Sequence, residues 1–312
     1  MPVKNAQQVA LVSGGNGFLG TALIRELIAC GVTVHALGNR RQQSLSALLP
    51  SACIHVGERN SLQITELVGD IQPSTIFHLA AVSKEPETPS EIEAMIECNL
   101  RLGINLLFAA SQQKTRPVFV NAGSYWQFGD SLRCLPNCLY AATKQSFHEL
   151  MLYYRDKYRI PALTLILYDT FGPDDARSKL WNRLVAAPPA AAIPLTRGEQ
   201  VVHLVHVTDV VRAFLKAADL LQSGCSLDPL YSVHSLHPRT LNDLVTELNI
   251  KAGLGLSLLW GNLPYAKDQI FDPWIGEYLP GWQPHLDALE ALVEHASTHR
   301  VNTGIHGVQH VG

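Results

Sequence analysis

The sequence predicts an α/β fold, a doubly wound parallel sheet with helices on both faces and a smaller C-terminal α/β lobe. Short apolar runs of strand length alternate with segments of helical period through the first half of the chain. A glycine-rich turn joins the first of these runs to the first helical segment. At 312 residues the chain is long enough for one large α/β domain with a smaller partner.

The first strand, turn and helix form the most distinctive segment of the chain. The first apolar run ends in Gly14, Gly17 and Gly20, which are spaced three residues apart. Residues 21–29 then continue as an amphipathic helix, and residues 32–37 form a second strand, as a βαβ dinucleotide unit requires. Glycines let the backbone approach a pyrophosphate at a helix N-terminus. We therefore predict a dinucleotide site; the alternative is a glycine-rich turn without a ligand.

The glycine spacing differs from the Gly-x-Gly-x-x-Gly of the ordinary Rossmann fingerprint. It resembles that of the short-chain dehydrogenase/reductase superfamily, and Gly-Gly-Asn-Gly-Phe-Leu-Gly is similar to the turn of its extended branch, the NAD-dependent epimerase/dehydratase family. Enzymes of that branch modify nucleotide sugars. The resemblance implies that Asn16, Phe18 and Leu19 bind the cofactor together with the three glycines.

The end of the second strand is where a Rossmann domain binds the adenosine ribose. An acidic side chain there would bind the 2′-hydroxyl of NAD, whereas Arg40 and Arg41, after Asn39, offer planar charged donors suited to a 2′-phosphate. We therefore expect NADP(H) to be preferred over NAD(H). The alternative is that the arginines only begin a solvated loop. After a third strand at residues 52–56, Glu58 resembles the acid that approaches the adenine in the family.

The fourth strand, residues 75–81, ends in a sequence that is similar to the family's. The resemblance implies that the cofactor passes close to Leu79, Ala80 and Ala81, and that His78 is structural. A long helix is predicted next, because apolar residues recur there at helical spacing.

Asn99 belongs to that helix, which we predict over residues 92–112. The segment resembles the family's Asn-x-x-Gly-x-x-Asn-Leu-Leu, which implies that Asn99 is a buried polar anchor in the cofactor site, beneath the reacting groups. The alternative is an ordinary asparagine in the middle of a helix.

Tyr140 and Lys144 are candidate catalytic residues. They lie four apart at the start of a predicted helix, so their side chains share one face. A free tyrosine titrates near roughly pH 10, and a neighbouring ammonium with an oxidised nicotinamide would lower its pKa. Ser124, at the end of the fifth strand, can donate to a substrate carbonyl and matches the family's catalytic Ser/Thr. Taken alone, Tyr-x-x-x-Lys more often marks an exposed helix face.

The second half of the chain is less regular. Residues 162–168 and 200–207 are predicted strands, Asp209 is the expected N-cap of a helix to Leu221, and a further helix follows over residues 241–252. The predicted division is a dinucleotide-binding Rossmann domain of residues 1–170 with 200–232 returning to it, a substrate-binding lobe of 171–199 and 233–300, and a loose tail of 301–312.

The resemblance also bears on the substrate. Tyr125 and Trp126 stand where sugar 4,6-dehydratases have Asp-Glu, and Val202 and His203 stand where relatives have the Arg-Asp that contacts a nucleotide diphosphate. Dehydration is therefore not expected, and the diphosphate contacts must be partly rebuilt. The substrate-binding residues we expect are Ser83, Ser124, Tyr125, Asp169, Lys179 and Arg197.

The run from Tyr168 to Pro173, followed by Arg177 to Leu180 and by Trp260-Gly and Pro264-Tyr265, most resembles nucleotide-sugar 4-ketoreductases of the CDP-abequose synthase type. This resemblance implies NADPH-dependent reduction of a nucleotide-linked 4-keto-6-deoxy sugar at C4 and a homodimer. Two alternatives stay open: a nucleotide-sugar 4-epimerase that retains NAD, and a catalytically silent redox sensor that binds NADP(H).

Composition excludes several other classes. Lys+Arg 24 against Asp+Glu 27 gives a net charge of −3, so no nucleic-acid or membrane-surface partner is expected. No apolar run approaches the roughly 18 residues of a membrane span, and no signal peptide is recognised, so we expect a soluble cytoplasmic protein. The six cysteines are scattered and expected to be reduced and mostly buried, and their spacing predicts no metal site.

Overall fold

The structure, a computed structural model, describes residues 8–38, 51–57, 60–130 and 133–303. The expectations for Asn39, Arg40, Arg41 and Glu58 lie outside the described residues, as do residues 304–312 of the predicted tail.

Thirteen strands lie in the described part of the chain. They are β1 Val9–Ser13, β2 Thr33–Gly38, β3 Cys53–Val56, β4 Thr75–His78, β5 Val118–Ser124, β6 Ala162–Leu167, β7 Asp169–Phe171, β8 Ala192–Pro194, β9 Val201–Val202, β10 Leu204–His206, β11 Leu230–Val233, β12 Arg239–Thr240 and β13 Ser257–Leu259.

Seven of these strands form the central sheet, in the order β11-β6-β5-β4-β1-β2-β3, and every pair in it is parallel. The chain moves outward from β1 in one direction and then returns to β4 on its other side, which is the doubly wound arrangement that the sequence predicts. All seven positions of β5 are buried, as expected of a strand covered by helices on both faces. The point of reversal lies between β1 and β4, and ligands bind above such a point.

Nine α-helices surround this sheet and build the lobe in the described residues. They are α1 Phe18–Ala29, α2 Ser61–Ile71, α3 Pro89–Ile96, α4 Leu102–Gln112, α5 Leu139–Tyr158, α6 Leu180–Ala186, α7 Val207–Gln222, α8 Leu241–Lys251 and α9 Ala288–Thr303. No described helix is long and apolar enough to span a bilayer.

Each face of the sheet has its own hydrophobic core. Leu23 of α1 and Phe214 of α7 belong to the core on one face, and Leu106 of α4 and Phe147 of α5 belong to the core on the other. A third core, which includes Trp181, joins α6, α8 and α9 in the lobe. The predicted division into domains stays a prediction.

The predicted helix over residues 92–112 is interrupted. Helices α3 and α4 are joined by a π-helical turn, Glu97–Arg101, that contains Asn99. A π turn inserts one residue into the helix and is frequent at functional sites. The side-chain period does not reveal it, because the apolar face continues on both sides of the turn.

The predicted strand over residues 200–207 is two strands. β9 pairs with β12 and β10 pairs with β7, in separate small sheets. Val202 and Leu204 lie in the core of the lobe, so the chain bends here to follow two partners that are remote in sequence.

Asp209 is not the N-cap that the sequence predicts. Helix α7 begins at Val207, and the His206 ring accepts the hydrogen bond from the Thr208 N–H at 3.3 Å. Asp209 is buried, and its carboxylate accepts hydrogen bonds from the N–H groups of His285 and Leu286, each at 3.0 Å. A segment remote in sequence therefore uses this carboxylate, which a local pattern cannot show.

Two smaller expectations are also corrected. The first residues of the predicted loose tail, 301–303, belong to helix α9. The cysteines are not buried: Cys98 and Cys138 are half-buried, and the other four are exposed.

Candidate active site

The glycine turn lies between the ends of β1 and β4. Gly14 has a φ of +73°, and the N–H groups of Gly14 and Gly15 donate to the carbonyl of Leu37 in β2. A Cβ atom at Gly14 would lie 2.7 Å from the backbone nitrogen of Ala80, and one at Gly20 would lie 2.2 Å from the Gly14 oxygen. Glycine is thus required at positions 14 and 20 for the turn to pack against its own neighbours, independently of any ligand.

The turn fits the pyrophosphate of a dinucleotide. Gly17 is the N-cap of α1 and makes no side-chain capping bond, so no side chain occupies the helix N-terminus where an anion would bind. A cavity of about 650 Å³ lies beside the turn, between Asn16 and Phe18 on one side and the segment 173–177 on the other. The guanidinium of Arg177 covers the Phe18 ring, 4.5 Å from its centroid. These residues, with Leu79, Ala80 and Ala81 directly after β4, would hold the cofactor.

Ser124, Tyr140 and Lys144 come together at the carboxyl end of β5. The Ser124 side chain accepts a hydrogen bond from the Trp126 N–H at 3.3 Å, and Gln127 caps the Ser124 N–H at 2.9 Å. This reciprocal pair is a capping box, Ser-x-x-Gln, and the sequence spacing could have revealed it. The Ser124 hydroxyl lies near enough to the Tyr140 phenol to lower the phenol's pKa.

Lys144 is buried, with an exposed fraction of 3%. Its Nζ donates to the carbonyl oxygen of Ala122 in β5 at 2.9 Å. Desolvation lowers the pKa of Lys144 to about 8, and the neighbouring Cys98 thiol opposes this shift. A buried cation therefore lies below the start of α5, one helical turn from Tyr140.

The Tyr140 phenol titrates far above neutral pH in the chain alone. Desolvation raises its pKa to about 12, and the nearby Ser124 hydroxyl acts in the opposite direction. The sequence led us to expect that the lysine, together with an oxidised nicotinamide, lowers this pKa. In the chain without cofactor, the cost of desolvating the phenolate is larger than its stabilisation by Lys144, because the Lys144 ammonium donates to the Ala122 carbonyl.

Asn99 occupies the anchor position that the resemblance implies. It is 1% exposed, and its side chain exchanges two hydrogen bonds with the backbone of Val82, at 2.7 and 3.0 Å. It also donates to the Thr143 hydroxyl at 2.9 Å. The π turn thus ties the loop after β4 to the residue that precedes Lys144 on α5. The Asn99 amide is engaged by Val82 and Thr143, and its predicted place in the cofactor site stays a prediction.

His78 lies in the core beneath these residues. It is fully buried, and its Nδ1 is 2.7 Å from the Ser13 hydroxyl. Burial lowers its pKa to about 3, and the charge of Lys144 adds to this effect. These contacts agree with a structural histidine.

The expected substrate residues separate into two groups. Ser83 and Tyr125 line a cavity of about 390 Å³ beside the Ser124–Tyr140 pair. Asp169 lies behind Tyr125, with a carboxylate oxygen 3.5 Å from the tyrosine hydroxyl, and Lys179 is 3.8 Å from the other oxygen.

Arg197 is not brought to this cavity. Its side chain is exposed and its carbonyl accepts a hydrogen bond from Asn242 in the lobe. Val202 and His203 are both buried, and His203 packs between Tyr168 and His234. Interior packing therefore takes up the two positions at which the resemblance implies diphosphate contacts in relatives.

Two residues that the sequence analysis did not assign also border the site. Trp126 packs edge-on against the Tyr140 ring at a centroid distance of 6.1 Å. Glu85 accepts a hydrogen bond from the Leu139 N–H, at the first residue of α5, at 3.2 Å. No local sequence pattern predicts this contact, because Glu85 lies 54 residues before Leu139 in the chain.

Comparison with known proteins identifies the family. Residues 10–227, well over half of the chain, match the family model "Epimerase: NAD dependent epimerase/dehydratase family". CDP-abequose synthase of Yersinia pseudotuberculosis is 25% identical over 266 residues, which cover 84% of this chain and 90% of the relative. CDP-abequose synthase of Salmonella typhimurium is 25% identical over 211 residues, 67% of this chain and 69% of the relative.

Solved structures share the fold. A UDP-glucose 4-epimerase of Thermotoga maritima, solved with UDP-glucose, superposes with a TM-score of 0.80 at 20% identity, covering 95% of this chain and 100% of that one. DesIV, a dTDP-glucose 4,6-dehydratase from Streptomyces venezuelae with NAD bound, superposes with a TM-score of 0.75 at 19% identity, covering 95% and 98%. The doubly wound fold and the prediction of an NAD(P)-dependent enzyme are thereby confirmed. The chain belongs to the NAD dependent epimerase/dehydratase family, the extended branch of the short-chain dehydrogenase/reductases.

Proposed function

We propose that this enzyme reduces the C4 carbonyl of a nucleotide-linked 4-keto-6-deoxy sugar. The observation that carries the proposal is the grouping of Ser124, Tyr140 and buried Lys144 beside a sugar-sized cavity and the glycine turn. The similarity to two CDP-abequose synthases over most of the chain supports a nucleotide sugar as the substrate and deoxysugar biosynthesis as the context.

In the proposed mechanism the chain's residues handle the proton and the nicotinamide cofactor supplies the hydride. Tyr140 donates its phenolic proton to the carbonyl oxygen as that oxygen gains negative charge. The phenol is protonated at neutral pH, as a proton donor must be. Ser124 donates a hydrogen bond to the same oxygen and so orients the carbonyl. The Lys144 ammonium stabilises the phenolate left after proton transfer.

The surroundings of Tyr125 support reduction over dehydration. Elimination needs an acid and a base placed at the sugar ring, and Tyr125 and Trp126 occupy the positions after Ser124. Burial and the nearby Asp169 carboxylate raise the pKa of Tyr125 above its ordinary value, so the phenol stays protonated. It is therefore a poor proton acceptor.

The preference for NADP(H) remains part of the proposal and rests on Arg40 and Arg41. It is tested by titrating the protein with NADPH and NADH and following nicotinamide fluorescence. If the arginines bind the 2′-phosphate, an Arg40→Ala and Arg41→Ala double variant weakens NADPH binding and leaves NADH binding unchanged. Equal loss for both cofactors, or for neither, contradicts the assignment.

A 4-epimerase that retains NAD is the second candidate. The observation in its favour is the shared fold with a UDP-glucose 4-epimerase at a TM-score of 0.80. Such an enzyme regenerates its own cofactor, so it is distinguished from a reductase by tightly bound NAD in the purified protein.

The decisive experiment mixes purified protein with NADPH or NADH and CDP-, dTDP-, GDP- or UDP-linked 4-keto-6-deoxy sugars, and follows the nicotinamide absorbance. Stoichiometric loss of NADPH with one carrier is the expected result, and it identifies the carrier. Absence of oxidation with every carrier, together with interconversion of simple nucleotide sugars without added cofactor, instead makes the protein an epimerase.

We also propose a homodimer formed through α4 and α5. Phe108 of α4 and Tyr153 of α5 are exposed, at 44% and 54%, whereas Leu106 on the same helix as Phe108 is fully buried in the chain's own core. Two exposed aromatic side chains on neighbouring helices suit a helical interface between two copies. The mass of the protein in solution by light scattering tests this, and a monomer contradicts it.

A further inference from the structure

The cavity beside Tyr140 has an acidic rim. Two of its lining residues carry a carboxylate: Glu85, from the loop after β4, and Asp268, from the lobe. None of the described residues that line it is a lysine or an arginine. The cavity volume of about 390 Å³ lies at the small end of the range for ligand sites.

Glu85 is held at a defined place in this rim. Its Oε1 accepts the hydrogen bond from the Leu139 N–H at 3.2 Å, at the N-terminus of the helix that carries Tyr140. A carboxylate is stabilised at that end of a helix dipole. Among the described residues, Oε2 has no hydrogen-bond partner, so one oxygen serves the helix and the other is available to a ligand.

The lobe side of the cavity is joined to the Rossmann side through Asn137. The Asn137 side-chain nitrogen donates to the carbonyl of Asp268 at 3.1 Å. Its oxygen is buried and has no hydrogen-bond partner among the described residues. Asn137 therefore supports the cavity wall through its bond to Asp268 and does not offer this oxygen to a ligand.

The remaining wall is aromatic and aliphatic. Tyr125, Trp126 and Ile270 line it, and they offer the flat apolar surface that the faces of a sugar ring pack against. The cavity therefore combines hydrogen-bond acceptors, negative charge and one apolar wall.

We propose that Glu85 and Asp268 determine sugar specificity, admitting an uncharged hexose and rejecting a uronic acid. This rests on the proposed function, because it assumes that the nucleotide's sugar enters this cavity. Hydroxyl groups of a neutral sugar donate to the Glu85 carboxylate. A uronate carboxylate would face two like charges without a cation to pair with it, which discriminates by repulsion.

The test compares two ligands that differ only at C6 of the sugar. Dissociation constants are measured by calorimetry for the glucose and glucuronate nucleotides of the carrier that the reductase assay selects, and for UDP-glucose and UDP-glucuronate if it selects none. We expect the wild-type protein to bind the glucose nucleotide at least roughly tenfold more tightly, the size of one screened charge pair.

The Glu85→Gln variant separates the effect of the carboxylate charge from that of the hydrogen bond to Leu139. The glutamine oxygen can still accept the Leu139 N–H, so the helix cap is kept while the charge is lost. We expect the preference for glucose over glucuronate to fall by about three- to tenfold. Asp268→Asn should reduce it independently, because its side chain makes no contact with α5 among the described hydrogen bonds.

Glu87→Gln is the matched control. Glu87 lies on the same loop and pairs with Lys84 at 3.2 Å, outside the cavity, so its loss should leave the preference unchanged. Equal binding of both nucleotides by the wild-type protein overturns the proposal, as does an unchanged preference in both cavity variants or binding of neither nucleotide. Because binding is measured without turnover, failure of the reductase assay does not by itself decide this result.

Discussion

Burial shifts the pKa values of Tyr140 and Lys144 in opposite directions. The phenol is a neutral acid, so desolvation raises its pKa to about 12, whereas the ammonium is a cation, so desolvation lowers its pKa to about 8. Both groups are thus in the protonated form at neutral pH, and only the lysine loses its proton within the range accessible to most assays. A protonated Tyr140 is compatible with the proposed role as proton donor.

The pH profile of the proposed reduction should show one limb in the alkaline range. Lys144 must be charged to support Tyr140, and its ammonium is lost as the pH rises through about 8. We expect kcat/KM to be constant near neutral pH and to fall about tenfold per pH unit above that value. Initial rates between pH 6 and 10 check this. A profile that is flat to pH 10 contradicts the assignment of Lys144.

Replacement of Tyr140 by phenylalanine should abolish turnover and leave cofactor binding nearly unchanged. The substitution removes the proton donor and keeps the ring that packs against Trp126. A loss of at least about a hundredfold in kcat is expected for a general acid. Tyr154→Phe makes the same change further along α5 and serves as the control. Undiminished activity of the Tyr140 variant would contradict the mechanism.

At the scale of elements, the site depends on how two turns are packed. The glycine turn is so close to the end of β4 that Gly14 and Gly20 are required by the protein's own backbone. The π turn at Glu97–Arg101 places Asn99 where it can hold both the loop after β4 and helix α5. The residues proposed to bind cofactor and to transfer the proton are therefore positioned by neighbouring elements that meet at the same edge of the sheet.

Gly20→Ala should disrupt the turn and with it the binding of cofactor. The new Cβ would lie 2.2 Å from the backbone oxygen of Gly14, which requires the turn to move. We expect at least about 2 kcal/mol of lost stability, as for an overpacked interior site, and weaker NADPH binding. Thermal unfolding and fluorescence titration measure the two effects.

Gly69→Ala is the matched control for this change. Gly69 lies within α2, and a Cβ there meets nothing within 4 Å. Alanine is favoured over glycine in a helix by about 0.5–1 kcal/mol, so this variant should be as stable as the parent or more stable. If Gly20→Ala behaves in the same way as Gly69→Ala, the turn is not as tightly packed as described.

At the scale of the whole molecule, buried histidines make folding sensitive to acid. Burial lowers the pKa of His78 to about 3 and that of His234 to about 4, against 6.5 in an unfolded chain. Between these values the unfolded chain binds protons that the folded chain does not. The folded state therefore loses stability as the pH falls below about 6.5.

We expect the free energy of unfolding to decrease by ~2 kcal/mol between pH 6.5 and pH 5 from His78 alone. Urea denaturation at the two pH values measures it. A His78→Asn variant should be less stable at neutral pH, because it loses the contact with Ser13 and packing with Phe147, but it should lose less stability on acidification. Equal stability of the parent at both pH values contradicts the prediction.

Local patterns were sufficient for the fold. The central strands are short apolar runs and the helices have a clear apolar period, so strands β1 to β6 and their helices were predictable from nearest neighbours in the sequence. The glycine spacing and the Tyr-x-x-x-Lys motif likewise involve residues within one turn or helix.

Features that depend on contacts between remote segments were not accessible in this way. The strand predicted over residues 200–207 divides because β9 and β10 have different partners, and Asp209 binds backbone N–H groups 76 and 77 residues away. The role of Glu85 at the start of α5 has the same origin.

The pKa values of the candidate catalytic residues also required the packed structure. The motif predicts a lysine close enough to lower the pKa of Tyr140. In the structure burial raises that pKa, and the Lys144 ammonium donates a hydrogen bond to the Ala122 carbonyl. The periodicity of apolar residues and the spacing of motif residues follow from local backbone geometry, so they can be identified in the sequence. Burial and charge environment arise only when distant segments pack together, because desolvation depends on everything that surrounds a group in space.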